Sequence, residues 1–288
     1  TAFPLSDQQI ADQARVQISG ENGSSPLIKG PYISLSRAYK MGPAKQELIS
    51  QGVMHPAIAG VNKYSNIFKH QYESLKAVQD GKHVIVSTGT GSGKTEAFLY
   101  PILNDCFKMR DANAPEGVVA VIVYPMNALA ADQLDRLREM LAGTGISFGM
   151  YVGSTPYNDS ALYNQVRPSA DTKKAYSEKR KQIRKSKSIE VVCPFEERIT
   201  EQELADKPPR ILLTNFNQLE ILLTRGRDLG MFQNAPLKYL VFDEAHTYTG
   251  VKGAEVSILI RRLRAFANKS ADDVTCIGSS ATISDSDD

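Results

Sequence analysis

The sequence predicts an α/β fold: a doubly wound parallel sheet with an N-terminal helical extension and one basic insertion. Three observations predict it. Between residues 83 and 98 (HVIVSTGTGSGKTEAF) a β-branched run enters a Gly/Ser/Thr turn and leaves as an amphipathic stretch. Further on, short apolar runs alternate with stretches whose apolar residues recur every three or four positions, the pattern of βαβ units. A second apolar run, LVFDEAH at 240–246, ends in two adjacent carboxylates, so two strands terminate in reactive side chains.

The first stretch, residues 1–63, reads as an extension. Ser6 with Gln9 forms a capping box, and Ile10, Ala14 and Ile18 make one apolar stripe on a short helix. A Gly/Ser/Pro loop follows, then a second short helix over 44–51 closed by Gly52. Nothing in this region carries a reactive constellation, and it reads as a packing platform. From residue 64 the pattern changes. A helical stretch with Phe68, His70, Gln71, Tyr72 and Leu75 precedes the first strand, at 84–86. Helix 95–109, strand 118–124, helix 127–141 and strand 146–151 come next. Strand 210–214, helix 216–224, strand 238–242, helix 252–267 and strand 274–279 complete the alternation. Ligands of such a sheet belong at the carboxyl ends of its strands.

Residues 154–209 are too long for an ordinary connection in this fold. Their middle, TKKAYSEKRKQIRKSKS, is densely basic, and the acidic EERITEQELAD follows. Two readings stand: an insertion that touches nucleic acid, or a solvated helix whose charge blocks partly answer each other.

Apolar and charged contents of 42% and 23% are ordinary for a soluble globular protein. A net charge of +2 neither demands nor forbids a polyanionic partner. Three widely spaced cysteines, Cys106, Cys193 and Cys276, without a C-x-x-C pair argue against a disulfide framework and for a reducing compartment. Cys193 lies in VVCPFEE, which has the look of a zinc ribbon but no second cysteine or nearby histidine, and it reads as structural. No signal peptide is readable at the start, and the longest apolar run, 118–124, is too short to span a bilayer. The expectation is a soluble, cytoplasmic protein with no membrane partner.

The reactive residues begin in TGTGSGKT, 88–95. Strand, glycine-rich turn and helix in this order make a P-loop. Gly89, Gly91 and Gly93 let backbone N–H groups of the turn, Thr90 and Ser92 included, face a phosphate chain. Lys94 is placed for the β- and γ-phosphates of ATP, and the Thr95 hydroxyl for Mg²⁺. The strict motif opens with Gly where this chain has Thr88. In LVFDEAH, Asp243 reads as the carboxylate that holds Mg²⁺, and Glu244 as the base that polarises the attacking water. An acidic pair capping a helix is the plainer alternative. Gln71 offers an amide that can both donate to and accept from an adenine edge, or it is a surface glutamine. GSSAT, 278–282, closes the next strand with small hydroxyl residues that can bond a neighbouring acid or histidine.

Together these residues resemble the first RecA-like domain of superfamily 2 helicases, over about 64–288. TGTGSGKT looks like motif I, DEAH (243–246) like motif II, and Ser280-Ala281-Thr282 like motif III. The resemblance implies that Gln71 senses adenine and that His246, Ser280 and Thr282 couple the nucleotide to the strand. YPMNALAADQ (124–133) is similar to motif Ia, GSTP (153–156) lies where motif Ib is expected, and LLTNFNQLEILL (212–223) resembles the next phosphate-contacting motif. Pro125, Asn127, Gly153, Thr214 and Asn215 are thereby expected to meet nucleic acid, DNA rather than RNA. Many relatives have Thr then Lys or Arg after the motif Ia proline. Met126-Asn127 stands here, and Asn127 brings no charge. The DEAHTYTGVKGAEVSILIRRLR and TNFNQLEILLTR stretches look most like the Hrq-type and mitomycin-repair-type DNA helicases and their relatives in anti-phage defence.

The family places ATP between two RecA-like domains. The chain ends six residues after Thr282, so it looks like the N-terminal portion of a motor whose second RecA-like domain lies elsewhere in the full-length chain. The expected activity is ATP hydrolysis coupled to movement along a strand, with ATP and Mg²⁺ as cofactors, the isolated chain being inactive alone. The rivals are a nucleic-acid clamp with the helicase fold and little turnover, and a P-loop NTPase of another class.

Overall fold

A computed structural model describes residues 7–19, 39–89, 91–162 and 164–281. The chain divides into two units, Thr1–Ala38 and Tyr39–Asp288. In the first, α1 (Gln8–Ser19) starts at Asp7, whose carboxylate accepts from the N–H groups of Gln9 and Ile10 at 2.8 and 3.2 Å. Ser6, expected to cap this helix, lies outside the described residues. Ile10 and Ile18, two residues of the expected stripe, are exposed.

The second unit opens with β1 (Met41–Ala44) and α2 (Lys45–Ser50). Strand β2 (Asn66–Phe68) pairs antiparallel with β1 and leads into α3 (Lys69–Gln79). Leu48, Met54, Ile58 and Val61 are buried in the same core as Leu75 of α3. The P-loop strand is β3 (Val84–Ser87), followed by α4 (Lys94–Asp111), β4 (Ala120–Tyr124), α5 (Asn127–Leu141) and β5 (Phe148–Tyr151). The long connection carries β6 (Gln165–Val166), α6 (Lys173–Ser186), β7 (Val191–Val192), β8 (Glu197–Arg198) and α7 (Glu201–Asp206). The chain then runs through β9 (Ile211–Asn215), α8 (Phe216–Leu222), α9 (Gly226–Leu229), β10 (Tyr239–Phe242), α10 (Gly250–Phe266) and β11 (Thr275–Ser280).

Seven strands form one sheet in the order β3-β11-β10-β4-β9-β5-β8, and every pair is parallel. This is the doubly wound parallel sheet that the alternation predicts, and it agrees with the RecA-like fold that the resemblance implies. Strand β4 is buried throughout. Ala120, Ile122 and Tyr124 join the core beneath α3, α4 and α5, while Val121 and Val123 join the core beneath α8 and α10. Side chains of a strand alternate between faces, so a strand covered on both sides reads as a continuous apolar run. Several strands begin one or two residues later than expected, because the ladder engages only after the chain has entered the sheet.

Register brings the strand ends level. Ser280 lies beside Ser87, Val123 beside Phe242 and Thr214, and Tyr124 beside Asn215. Tyr176, Ile183 and Val192 of the insertion form a small separate cluster under α6 with Ala142, the residue that follows α5. Arg180 of α6 pairs with Asp135 and Glu139 of α5, and buried Glu197 takes Arg138 at 2.7 Å. No helix among the described residues is long and apolar enough to cross a membrane.

Candidate active site

The carboxyl ends of β3, β11 and β10 stand side by side, and the three reactive segments leave the sheet there. After β3 the turn narrows onto α4. Gly91 and Gly93 both have φ of +75°, a left-handed conformation that glycine adopts at little cost. Lys94 Nζ donates back to the Thr88 carbonyl at 3.0 Å, and the Thr88 and Ser92 hydroxyls meet at 2.6 Å. Thr88 N–H donates to the Ser280 carbonyl at 3.3 Å, so the loop is tied to the end of β11. Thr90 lies outside the described residues.

Gln71, at the start of α3, is buried and holds this loop. Its Oε1 accepts from Phe68 N–H at 2.8 Å, and its Nε2 donates to the Gly93 carbonyl at 2.9 Å. A groove of about 460 Å³ runs beside it, with Met41, Tyr64, Phe68, Tyr100 and Arg136 on its walls. Met41 belongs to the stretch that carries no recognisable motif. His70, stacked on Phe68, is held below the ordinary imidazole range by burial, so it is neutral beside the loop near pH 7.

After β10, Asp243 Oδ1 accepts from the Ser279 hydroxyl and from Glu244 N–H. Glu244 has φ +50°, ψ +49°, left-handed for a residue with a Cβ. Such strain persists only where surrounding contacts impose it, and it gathers at functional sites. Glu244 Oε2 is buried without a hydrogen bond among the described residues, 3.4 Å from His246 Nδ1. The same His246 nitrogen meets Ser280 Oγ at 3.0 Å. The expected coupling pair is therefore in contact, whereas Thr282 lies outside the described residues.

The donor set fits a phosphate chain with a divalent cation. The loop supplies a cationic tip and a concave backbone, and a Cβ added at Gly93 would lie 2.5 Å from Gln71 Nε2. Asp243 and Thr95 supply the hard oxygen donors that Mg²⁺ takes. One participant carried no clear sequence signal, and a second was legible only as one of the hydroxyls of GSSAT. Arg136 of α5 donates to Thr95 Oγ1 at 3.0 Å and to Glu96 Oε1 at 2.5 Å, nine positions after Asn127 on a helix with no motif of its own at that point. Ser279, not Ser280, bonds Asp243, because neighbours on a strand point to opposite faces.

Further along the same edge, beyond β10, Pro125, Met126, Asn127, Asn215, Phe216 and Lys252 line a cleft of about 270 Å³. Asn215 Nδ2 donates to Asn127 Oδ1 at 2.6 Å, joining two of the residues expected to meet nucleic acid. Thr214 departs from that expectation. It is fully buried and its hydroxyl donates to the Tyr151 carbonyl at 2.7 Å, so it fastens β9 to β5 and presents nothing outward. Gly153 follows β5 and is not among the residues lining this cleft.

Residues 68–288 match the DEAD/DEAH box helicase family. The Druantia protein DruE of Escherichia coli (strain UMEA 4076-1) is 29% identical over 89% of this chain and 18% of its own length. The ATP-dependent helicase hrq1 of Schizosaccharomyces pombe is 29% identical over 90% of this chain and 19% of its own. The chain thus spans about a fifth of the length of these curated relatives. Among solved structures, the DUF1998 helicase MrfA bound to DNA and AMPPNP superposes with a TM-score of 0.59 at 26% identity, over 86% of this chain and 28% of that one. A match of that extent, on a sheet whose carboxyl edge carries these residues in this order, makes the chain a member of the DEAD/DEAH box helicase family.

Proposed function

We propose that this chain is the ATP-binding half of a nucleic-acid-dependent ATPase motor, a helicase or translocase that moves along DNA. The observation that carries the reading is the meeting of three segments at one sheet edge: the Lys94 loop, the strained Asp243-Glu244 turn and the Ser279-Ser280 strand end. DNA is favoured over RNA because MrfA, the solved relative at 26% identity, is bound to DNA. The relatives' length supports a second RecA-like domain elsewhere in the full-length protein, closing the site from the other side. Free, mostly buried cysteines fit a cytoplasmic setting.

In this reading Lys94 turns its ammonium from the Thr88 carbonyl to the β- and γ-phosphates. The loop N–H groups hold the chain of oxygens in place. Gln71 keeps Gly93 in its left-handed conformation and carries a second amide hydrogen for adenine. Thr95 and Asp243 hold Mg²⁺, which when bound neutralises charge on the phosphates. Glu244, whose buried Oε2 has no hydrogen bond among the described residues, orients the attacking water and takes its proton. His246, bonded to Ser280 and next to Glu244, links that base to the end of β11.

The test separates binding from chemistry. In the full-length protein, Glu244→Gln should keep nucleotide affinity and lose phosphate release by about 10²–10⁴-fold, the usual worth of a positioned base. Near-normal turnover would move the base elsewhere. A wild type that binds strand and nucleotide yet releases no phosphate would be a clamp.

A further inference from the structure

Asn127 brings no charge to a position where a cation would grip a backbone phosphate, yet the cleft it lines is not without one. Lys252, in the first turn of α10, reaches the same cleft from the other face of the sheet. It is exposed and forms no ion pair among the described residues. Its ammonium sits 5.2 Å above the Tyr248 ring, an attraction that orients the long side chain while leaving its three donors free. No carboxylate lines the cleft, whose other polar groups are the neutral amides of Asn127, Asn215 and Asn217. Asn127 spends its carbonyl oxygen on Asn215, and Asn215 spends its own on Gln218 N–H at 2.7 Å. The Asn127 and Asn217 amide hydrogens and one ammonium remain beside a single uncommitted side-chain acceptor, the Asn217 carbonyl oxygen, a donor-rich set of the kind that takes an anionic oxygen.

We propose that Lys252 is a phosphate-binding residue of the strand path, supplying with the Asn127 amide the grip on one backbone phosphate that Asn127 alone lacks. This rests on the reading of the chain as a nucleic-acid motor. It adds that the charge for this contact comes from the helix following the DEAH turn, not from the motif Ia segment. Tyr248, between His246 and Lys252, packs edge-on against Phe242 at the end of β10, so the strand contact and the hydrolytic turn share one short piece of chain.

The experiment measures binding of a single-stranded DNA oligonucleotide to the full-length protein across a salt series, for wild type, Lys252→Ala and Lys252→Arg. Alanine should lower the slope of log affinity against log salt by about 0.7, one phosphate contact on a single strand, and arginine should restore it. Affinity for an ATP analogue should be the same in all three, because Lys252 lies off the nucleotide groove. An alanine variant with the wild-type slope would overturn the role of Lys252 and leave the motor reading standing. A wild type that binds no strand would overturn both. A parallel arm adds inorganic phosphate. Thermal protection by phosphate that depends on Lys252, with an unchanged strand slope, would overturn the strand assignment in favour of a free-anion site.

Discussion

At the scale of single residues, conformation and burial decide more than residue type. Gly93 combines a φ of +75° with the Gln71 amide where a Cβ would stand. Alanine there pays the left-handed penalty of about 1–2 kcal/mol and also pushes Gln71 off the loop. Gly93→Ala should therefore lower the melting temperature and weaken nucleotide binding together, as thermal shift with and without an ATP analogue would show. Retained binding would mean the loop tolerates a different backbone. Lys45 is a different case. It is 3% exposed, donates to Asn62 Oδ1 at 2.5 Å, and burial pushes its ammonium down to about 8. A base with a depressed folded-state value is most compatible with folding when neutral. Stability should be fully present above its unfolded value near 10.5 and be lost as pH falls through about 8. Between about pH 10 and about pH 7 the loss should be ~2–3 kcal/mol. Urea titrations of wild type and Lys45→Met at both pH values check it, and equal pH dependence in the two would remove Lys45 as the cause.

At the scale of elements, α6 is the one whose role the sequence left open. Its apolar side is spent on the small cluster with Ala142 and Val192, and Arg180 is answered by Asp135 and Glu139. The helix starts against Gly143, where a Cβ would lie 2.6 Å from Lys173 N. That turn ends α5, whose 15 residues separate it from Asn127 at the carboxyl edge of the sheet by roughly 20 Å. A solvated docking helix accounts for this geometry. Replacing Lys174, Lys181, Arg184 and Lys185 with glutamine should leave the salt slope of strand binding unchanged. A slope lower by about 0.7 per lost contact would make the insertion a nucleic-acid surface after all.

At the scale of the whole molecule, one wall of the proposed ATP site is carried by this chain and its relatives are about five times as long. In related phosphoryl-transfer sites an arginine from outside the P-loop domain is worth ~10³–10⁵ in rate. Residues 1–288 alone should bind adenine nucleotide weakly and release phosphate negligibly even with DNA, beside a full-length protein that turns over. Strand-stimulated turnover by the fragment at a full-length rate would show that the missing wall comes from a second copy, or that the two-domain arrangement does not apply.

Sequence by itself determined the sheet and picked out most residues of the proposed nucleotide site, because both readings rest on short-range rules. Apolar runs of strand length at regular spacing can only be buried strands between helices, and GSGKT after such a run has few other uses. The Asp243-Glu244 pair was legible for the same reason. Tertiary structure decided what depends on register and on contacts distant in the chain. It buried Thr214 against Tyr151, gave the bond to Asp243 to Ser279, and brought Arg136 to Thr95 across 41 positions. It set Met41 beside the groove and Lys252 beside Asn127, placements that no motif spacing gives. A strand's face is fixed by its pairing and a helix's neighbour by its packing. Neither is written in local spacing, so residues that act only through such neighbours become visible when the chain is folded.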